Sequence, residues 1–296
     1  MTVTHEHMTM QQVWEQQSIW SQSANKLKRS VETARSRALA LAVAAAALGT
    51  AAAQTMDWNA RLGTALAFIA ALAAGMSPVL AQRAGPGRMS DWIRTRAVSE
   101  AFKGEVYTCL AGVGPYEDRE RRATLLAERT SRFRVDATDL VRHTTGIAPE
   151  ARTLPPVVGI DTYIDLRLRR QIDMYYRPKA VLMHRKVELF SKVELAFGAA
   201  GALLAAAAGT FSIGGLAAWG GVIASASIAI SAHGIAQRYA YQQLEFLRTA
   251  EELQQLLSGW RTETTPSTEA AGAFVSKCEH VISIQNEAWM IRWTVG

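Results

Sequence analysis

The side chains that could do chemistry are spread along this 296-residue chain and form no catalytic or metal-binding spacing. The sequence contains no HExxH, no phosphate-binding GxxxxGK[ST] loop and no GxSxG nucleophile turn. The carboxylates fall in charged stretches typical of solvated helix faces. The six histidines stand singly, at positions 5, 7, 143, 184, 233 and 280. The sequence therefore predicts a protein that is not an enzyme and has no metal or other cofactor.

The net charge and the cysteines indicate which compartment and which partners to expect. Cys109 and Cys278 lie far apart without a CxxC spacing, which fits two free thiols in a reducing compartment. A net charge of +6 could indicate nucleic-acid binding. However, the basic residues are not interleaved with aromatic residues, as a base-stacking surface would require. We expect no nucleic acid as a partner.

Uncharged segments dominate the organisation of the chain. Residues 38–56, 62–82 and 195–237 contain no Asp, Glu, Lys or Arg. About 20 apolar residues suffice to cross the hydrocarbon layer of a bilayer, so the last segment is long enough for two spans with a turn near 209–215. The predicted spans are about 38–56, 62–82, 195–211 and 216–236. The sequence thus predicts an all-α membrane protein with two transmembrane helical hairpins.

The flanks of these hairpins set their orientation. The turns between spans contain only Asp57 and Arg61 as charged residues. Basic residues crowd the other ends of the spans: Lys26, Lys28, Arg29, Arg35, Arg37, Arg83, Arg88, Arg94, Arg96, Lys179, Arg185, Lys186, Lys192, Arg238 and Arg248. Because basic flanks stay in the cytoplasm, we expect both termini there in a multi-pass cell-membrane protein. The richness in alanine leaves open a soluble form that inserts on activation.

The two hairpins form an internal repeat. Residues 24–48 match residues 180–204 at nine of 25 positions without a gap. Helical stripes precede the first span of each repeat: Trp20, Ala24, Leu27 and Val31 in one, Tyr176, Ala180, Met183 and Val187 in the other. These stripes predict long cytosolic amphipathic helices that run straight into the membrane. The predicted units are residues 1–145 and 160–296, joined by a linker at 146–159 that is rich in Pro and Gly.

Two repeated charged pairs precede the hairpins. Arg29 with Glu32, and Arg185 with Glu188, have the i,i+3 spacing of ion pairs on a solvated helix face. A role at a subunit contact or at the mouth of a pore is the alternative. Farther along the chain, a single charged helix is predicted from about Tyr116 to His143.

The second span of each hairpin carries a continuous face of small residues. These are Gly63, Ala67, Ala70, Ala74 and Ser77 in the first hairpin, and Gly220, Ala224, Ser227, Ser231 and Gly234 in the second. Small faces let helices approach closely in lipid, so close packing is one interpretation. Lining of a narrow pore after oligomerisation is the other. His233, near the inner end of its span, is a candidate gate because ionisable groups in membranes are commonly functional.

Several of these features together resemble the SLATT family, which comprises two-transmembrane proteins associated with SMODS nucleotidyltransferases and SLOG nucleotide sensors. Trp20 with Ala24, and Tyr176 with Ala180, each precede a two-span hairpin, and the segment Glu279-His280…Glu287-Ala288-Trp289 follows the second one. The likeness is strongest over about 163–293 and weaker over 11–110. The chain thus resembles a tandem SLATT protein, and the family pattern contains no catalytic residue.

The resemblance implies a role in bacterial conflict. Family members are proposed pore-forming or membrane-disrupting effectors that respond to a nucleotide signal or a separate nucleotide-sensing protein. We therefore expect an ion channel or pore in the bacterial inner membrane, serving anti-phage defence or a similar system. Four short spans are too few to enclose a wide pore, so a homo-oligomer is expected. The alternative is a non-conducting inner-membrane scaffold that recruits a cytosolic partner.

Overall fold

The computed structural model describes residues 2–211, 214–263 and 266–294, and every regular element in these ranges is helical. The helices are α1 (Thr2–Met56), α2 (Ala60–Gln82), α3 (Pro86–Ala111), α4 (Arg122–Asp136), α5 (Gly159–Tyr163), α6 (Arg177–Phe211), α7 (Gly214–Gln237), α8 (Tyr239–Arg261) and α9 (Thr268–Thr294). The all-α prediction is confirmed. The side chains of Glu287 and Trp289 lie outside the part that the structure describes.

Four helical stretches are long and apolar enough to cross a membrane. They are Glu6–Met56, Ala60–Ala111, Gly159–Phe211 and Gly215–Arg261. No more than 11% of the apolar window in any of them is buried inside the chain. A soluble protein would hide such windows in its core, whereas lipid is a favourable surrounding for them. The fold is therefore of the all-α membrane type, with four candidate spans as the uncharged segments predict.

The chain forms two compact units, and each takes segments from both halves of the sequence. Residues 30–85 and 181–243 make up what we call the hairpin unit. Residues 1–29, 86–180 and 244–296 make up what we call the helical unit. The predicted linker at 146–159 lies within the helical unit. The division into two sequence repeats stays a prediction beside this arrangement.

The turn of the first hairpin lies where its charged residues predict it. Helix α1 ends at Met56, and the Asn59 side chain caps α2 by accepting a hydrogen bond from the Leu62 amide at 3.1 Å. In the second hairpin, α6 ends at Phe211 and α7 begins at Gly214. Residues 212–213 of the predicted turn lie outside the described residues.

The core of the helical unit is built on the predicted stripes. Trp20 and Ala24 of α1, and Tyr176 and Ala180 in the second half of the chain, are at most 2% exposed. Helices α3 and α9 add further buried apolar side chains, including the free thiols of both cysteines. Burial raises the pKa of Cys109 to about 12, so its thiol is inert at neutral pH.

The predicted charged helix from Tyr116 to His143 is wrong in its extent. Only α4, from Arg122 to Asp136, is α-helical, and 3₁₀ turns occupy Gly114–Tyr116 and Thr138–His143. Asp118 explains the late start, because its carboxylate accepts a hydrogen bond from the Glu120 amide at 3.0 Å and stabilises a turn instead. The alternating charges therefore predicted a solvated segment correctly, but the α-helix within it is shorter than predicted.

The helix that enters the second hairpin changes its winding. Ile164–Arg169 and Gln171–Tyr176 are π-helical, and regular α-helix resumes at Arg177 as α6. Pro178 has no N–H for the carbonyl of Met174, and its ring crowds that carbonyl, which favours the wider hydrogen-bond pattern before it. The wide turns direct Arg167 and Tyr176 into the core, where both are at most 2% exposed.

Candidate functional site in the membrane hairpins

The small-residue face of α2 packs against α1 within the first hairpin. Gly63 is buried, and a Cβ atom at that position would lie 2.9 Å from the Cα atom of Met56. Ala70 is also buried, and the Ser77 hydroxyl donates to the Ala38 carbonyl at 2.9 Å. This heptad-like spacing brings the two helices together. The remaining two predicted positions lie at the side of this contact: Ala67 is half-buried and Ala74 is exposed.

The corresponding face of α7 is open. Gly220, Ala224 and Ser227 line a groove of about 790 Å³ between α6 and α7. Apart from Phe197, the facing wall on α6 is also small: Gly198, Gly201, Ala202, Ala205, Ala208 and Gly209. Every residue lining this groove is uncharged. The same sequence pattern therefore forms a closed contact in the first hairpin and an unfilled concave surface in the second.

The remaining predicted residues of α7 lie at the base of the second hairpin, away from the groove lining. The Ser231 hydroxyl donates to the Glu194 carboxylate at 2.8 Å. His233 stacks on Phe190, with ring centroids 5.8 Å apart, and a Cβ atom at Gly234 would contact the same phenyl ring at 3.5 Å. These contacts fix α6 against α7. A gating role for His233 stays a prediction.

A polar clamp joins the two hairpins and was not predicted. The Gln54 amide of α1 donates to the Gly215 carbonyl at 2.9 Å and accepts from the Trp219 indole at 3.1 Å. An unsatisfied amide is costly in hydrocarbon, so this bonded one favours a fixed arrangement of the hairpins. A lone glutamine in an apolar segment is the only sequence signal for it.

The second of the repeated charged pairs is arranged differently from the prediction. Glu188 lies 3.4 Å from the His184 imidazole and 3.8 Å from the Lys192 ammonium, its i−4 and i+4 neighbours, instead of pairing with Arg185. The pairing of Arg29 with Glu32 stays a prediction. On a regular helix, neighbours at i±4 lie almost directly above one another. This geometry places the i±4 partners of Glu188 closer than the residue three positions away.

A buried charged network lies in the helical unit. The Arg167 guanidinium, 2% exposed, donates to both carboxylate oxygens of Glu279, at 2.9 and 2.7 Å. The Tyr163 hydroxyl donates to the same carboxylate at 2.9 Å, and the Tyr107 ring lies 4.9 Å below the guanidinium. Glu100 approaches Arg167 at 4.0 Å. The network thereby ties α3 and the π-helical segment to α9.

The electrostatics of this network keep Glu100 ionised. Burial would raise the pKa of Glu100, but the positive charges of Arg96, Lys103 and Arg167 outweigh it and lower that pKa to about 2. Burial lowers the pKa of Lys103 to about 8, against the attraction of Glu100. A buried ion pair contributes little net stability but is costly to break. Loss of one partner from this network should therefore destabilise the helical unit.

These observations define the class of protein: a multi-pass, all-α membrane protein with two helical hairpins. The residues 163–289 match the family model described as SMODS and SLOG-associating 2TM effector domain 1, and this match identifies a SLATT domain in the chain. Residues 18–124 match a family described as a protein of unknown function, DUF4231. No curated protein and no solved structure matches the chain.

The family matches bear on both the hairpins and the network. The SLATT match includes the whole α6/α7 hairpin, as well as Arg167 and Glu279. The DUF4231 match includes α2 and most of α1. The resemblance to SLATT proteins is confirmed, whereas the tandem duplication is only loosely supported because the two halves match different family models.

Proposed function

We propose that the chain is the subunit of an oligomeric ion channel or pore and acts as an effector in bacterial conflict systems such as anti-phage defence. Its SLATT domain, described as a two-transmembrane effector domain, supports a membrane effector. The observation that carries the proposal is the open, uncharged groove lined by Gly220, Ala224 and Ser227. This groove is the surface from which an assembled pore would be built.

The groove supports assembly for a physical reason. Side chains that line an unfilled concavity lose dispersion contacts on one side, so a neighbouring helix stabilises them. In lipid, small residues permit close approach of helix backbones, and packing drives association. The equivalent face of α2 already has this contact with α1. In the proposed assembly, α7 meets a neighbouring subunit or faces the lumen, and Ser227 contributes the hydroxyl of the lining.

The proposed location is the bacterial inner membrane, with both termini and the helical unit in the cytoplasm. The basic flanks of the spans support this orientation. The proposed activating partner is a nucleotide signal or a separate nucleotide-sensing protein, because the matched family is described as SMODS and SLOG-associating. The helical unit, which contains the buried charged network, is the part of the chain available to receive such a signal.

Planar-bilayer recording of the purified protein tests the proposal. We expect single-channel currents, and we expect Ser227→Leu to lower the single-channel conductance because the larger side chain fills the groove. Ser225→Leu is the matched control, since Ser225 lies on the same helix, is exposed and is not among the groove residues. No current with or without candidate nucleotides, or an equal effect of both variants, contradicts the proposal.

A measurement in cells separates the pore from the scaffold alternative. A deregulated pore collapses the membrane potential of expressing cells, whereas a non-conducting scaffold leaves it intact. A potential-sensitive dye reports the difference. An intact potential, with the protein present in the membrane fraction, favours the scaffold.

A further inference from the structure

The charges of the hairpin unit are concentrated at one end of its helices. Seven basic and three acidic residues occupy the segments at this end, residues 30–37, 83–85, 181–194 and 237–243. The opposite end, at the hairpin tips, has only Asp57 and Arg61. The hairpin unit is therefore electrically asymmetric from end to end, with a positive excess on one side of the uncharged windows.

Contacts within the unit bring these charges to a common level. The Ser77–Ala38 hydrogen bond aligns α2 with α1, so Arg83, six residues beyond Ser77, lies roughly 9 Å further along, beside the charged end of α1. In the second hairpin, the Lys186 ammonium of α6 lies 4.9 Å from the Tyr239 ring at the start of α8, directly after α7. Arg35 of the first hairpin also interacts electrostatically with Tyr239 beside the second, so the basic ends of the two hairpins meet and form one belt.

Three arginines of this belt stand apart from its carboxylates. Arg37, Arg83 and Arg185 are exposed and form no ion pair among the described residues. The nearby carboxylates contact other residues. Glu188 forms ion pairs with His184 and Lys192, and Glu194 accepts a hydrogen bond from Ser231. Glu32 interacts electrostatically with Arg35. The three guanidinium groups keep their donors available for an external anion.

Exposed aliphatic side chains accompany two of these arginines. Leu189, 59% exposed, lies one turn beyond Arg185 toward the span, on the same face of α6. Val79, 45% exposed, lies one turn before Arg83 on α2. A partner that satisfies both features has an anionic group at the level of the arginines and an apolar part that extends along the adjoining spans.

We propose that Arg37, Arg83 and Arg185 bind the phosphate headgroups of anionic phospholipids, with the acyl chains lying along the neighbouring aliphatic side chains. Guanidinium donors match phosphate oxygens in geometry and charge. Basic residues beside membrane spans attract anionic lipids, and basic pockets between spans bind their headgroups. The inference requires the membrane location proposed above, but it does not depend on conduction.

Lipid binding by the full chain in detergent tests this assignment. Phosphatidylglycerol is titrated against phosphatidylcholine, with the thermal midpoint and native mass spectrometry as readouts. We expect the anionic lipid to bind more tightly and to raise the midpoint. The triple variant Arg37→Gln, Arg83→Gln and Arg185→Gln is expected to lose affinity for it by roughly a hundredfold, or about fivefold for each charge.

Arg61→Gln is the matched control, because Arg61 is also exposed but lies at the opposite end of the spans. It should retain the wild-type preference. Equal binding of both lipids, unchanged affinity in the triple variant, or an equal loss in the control overturns the assignment. Inorganic phosphate should not raise the midpoint; if it does so as well as the lipid, the site is an ordinary anion site and the proposal is wrong.

Two further measurements keep the test independent of folding and of conduction. If the triple variant does not fold, Arg185→Gln alone should lose about fivefold in affinity. The wild-type affinity should also fall as salt rises, because exposed charges are screened, and a salt-independent affinity overturns the assignment. Bilayer currents are recorded separately: currents without lipid preference refute this inference alone, and lipid preference without currents refutes only the channel.

Discussion

Replacement of Glu279 by glutamine removes the charge that balances a buried guanidinium. In the folded protein, Arg167 donates two hydrogen bonds to Glu279, at 2.9 and 2.7 Å, and its other acidic neighbour, Glu100, is 4.0 Å away. Breaking one partner of a buried ion pair costs about 3–5 kcal/mol, because it leaves an uncompensated charge. We therefore expect Glu279→Gln to destabilise the helical unit by about that amount.

An exposed pair provides the control for this prediction. Asp173 and Arg177 form an i,i+4 ion pair at 2.6 Å, with about half of each side chain exposed. Exposed pairs of this kind contribute roughly 0.3–0.5 kcal/mol, so Asp173→Asn should scarcely change stability. Urea unfolding of both variants in the same detergent, followed by circular dichroism and by hydrogen exchange of α3 and α9, measures the difference.

The double variant Arg167→Met with Glu279→Met separates charge from packing. Replacement of a whole buried pair by apolar side chains is often neutral or stabilising. We expect the double variant to recover most of the stability lost in Glu279→Gln. The reasoning is refuted if Glu279→Gln costs no more than Asp173→Asn, or if the double variant is as unstable as the single one.

Three further predictions follow from burial and packing. Burial lowers the pKa of Lys103 from 10.5 to about 8, so between these pH values the unfolded chain binds more protons than the folded chain. The free energy of unfolding should therefore rise with pH across that window. In a series of unfolding curves at different pH, Lys103→Met should flatten this rise. Gln54→Leu removes the hydrogen bonds to α7 and should cost about 1 kcal/mol, measured by thermal unfolding of the hairpins. Gly63→Ala places a Cβ atom 2.9 Å from the Cα atom of Met56 and should cost about 1–3 kcal/mol, whereas Gly75→Ala, with open space around it, should be nearly neutral.

The sequence predicts the membrane helices well because their length follows from one physical quantity. The uncharged segments end at residues 56, 82 and 237, and the helices end at Met56, Gln82 and Gln237. The thickness of the hydrocarbon layer sets the length of such segments, and a charged residue closes each one. The buried stripe around Trp20 was predictable for a similar reason, since it depends only on helical periodicity.

Contacts between distant segments were not predictable in the same way. Arg167 and Glu279 are 112 residues apart, and nothing local to either residue indicates the other. Glu279 contributes to the family resemblance, but its partner is evident only once α9 lies on α3. The partners of Gln54 were equally unpredictable, because both lie more than 160 residues further along the chain. Local sequence patterns predict which surfaces can pack or form hydrogen bonds, but they do not predict which segment each surface contacts.

The two small-residue faces illustrate this limit. They also explain why we propose different roles for the first and the second hairpin. Both have the spacing that permits close helix approach. The α2 face packs against α1, whereas the α7 face contacts α6 at Ser231 and Gly234 and is open at Gly220, Ala224 and Ser227. If both faces served only to hold their own hairpins, the α7 face would also be filled, since an unfilled groove forfeits dispersion contacts. The first hairpin is thus suited to hold the subunit together. The groove of the second is suited to meet a neighbouring subunit, which is why substitutions at Gly220, Ala224 and Ser227 should change assembly or conductance before they change the fold of a single chain.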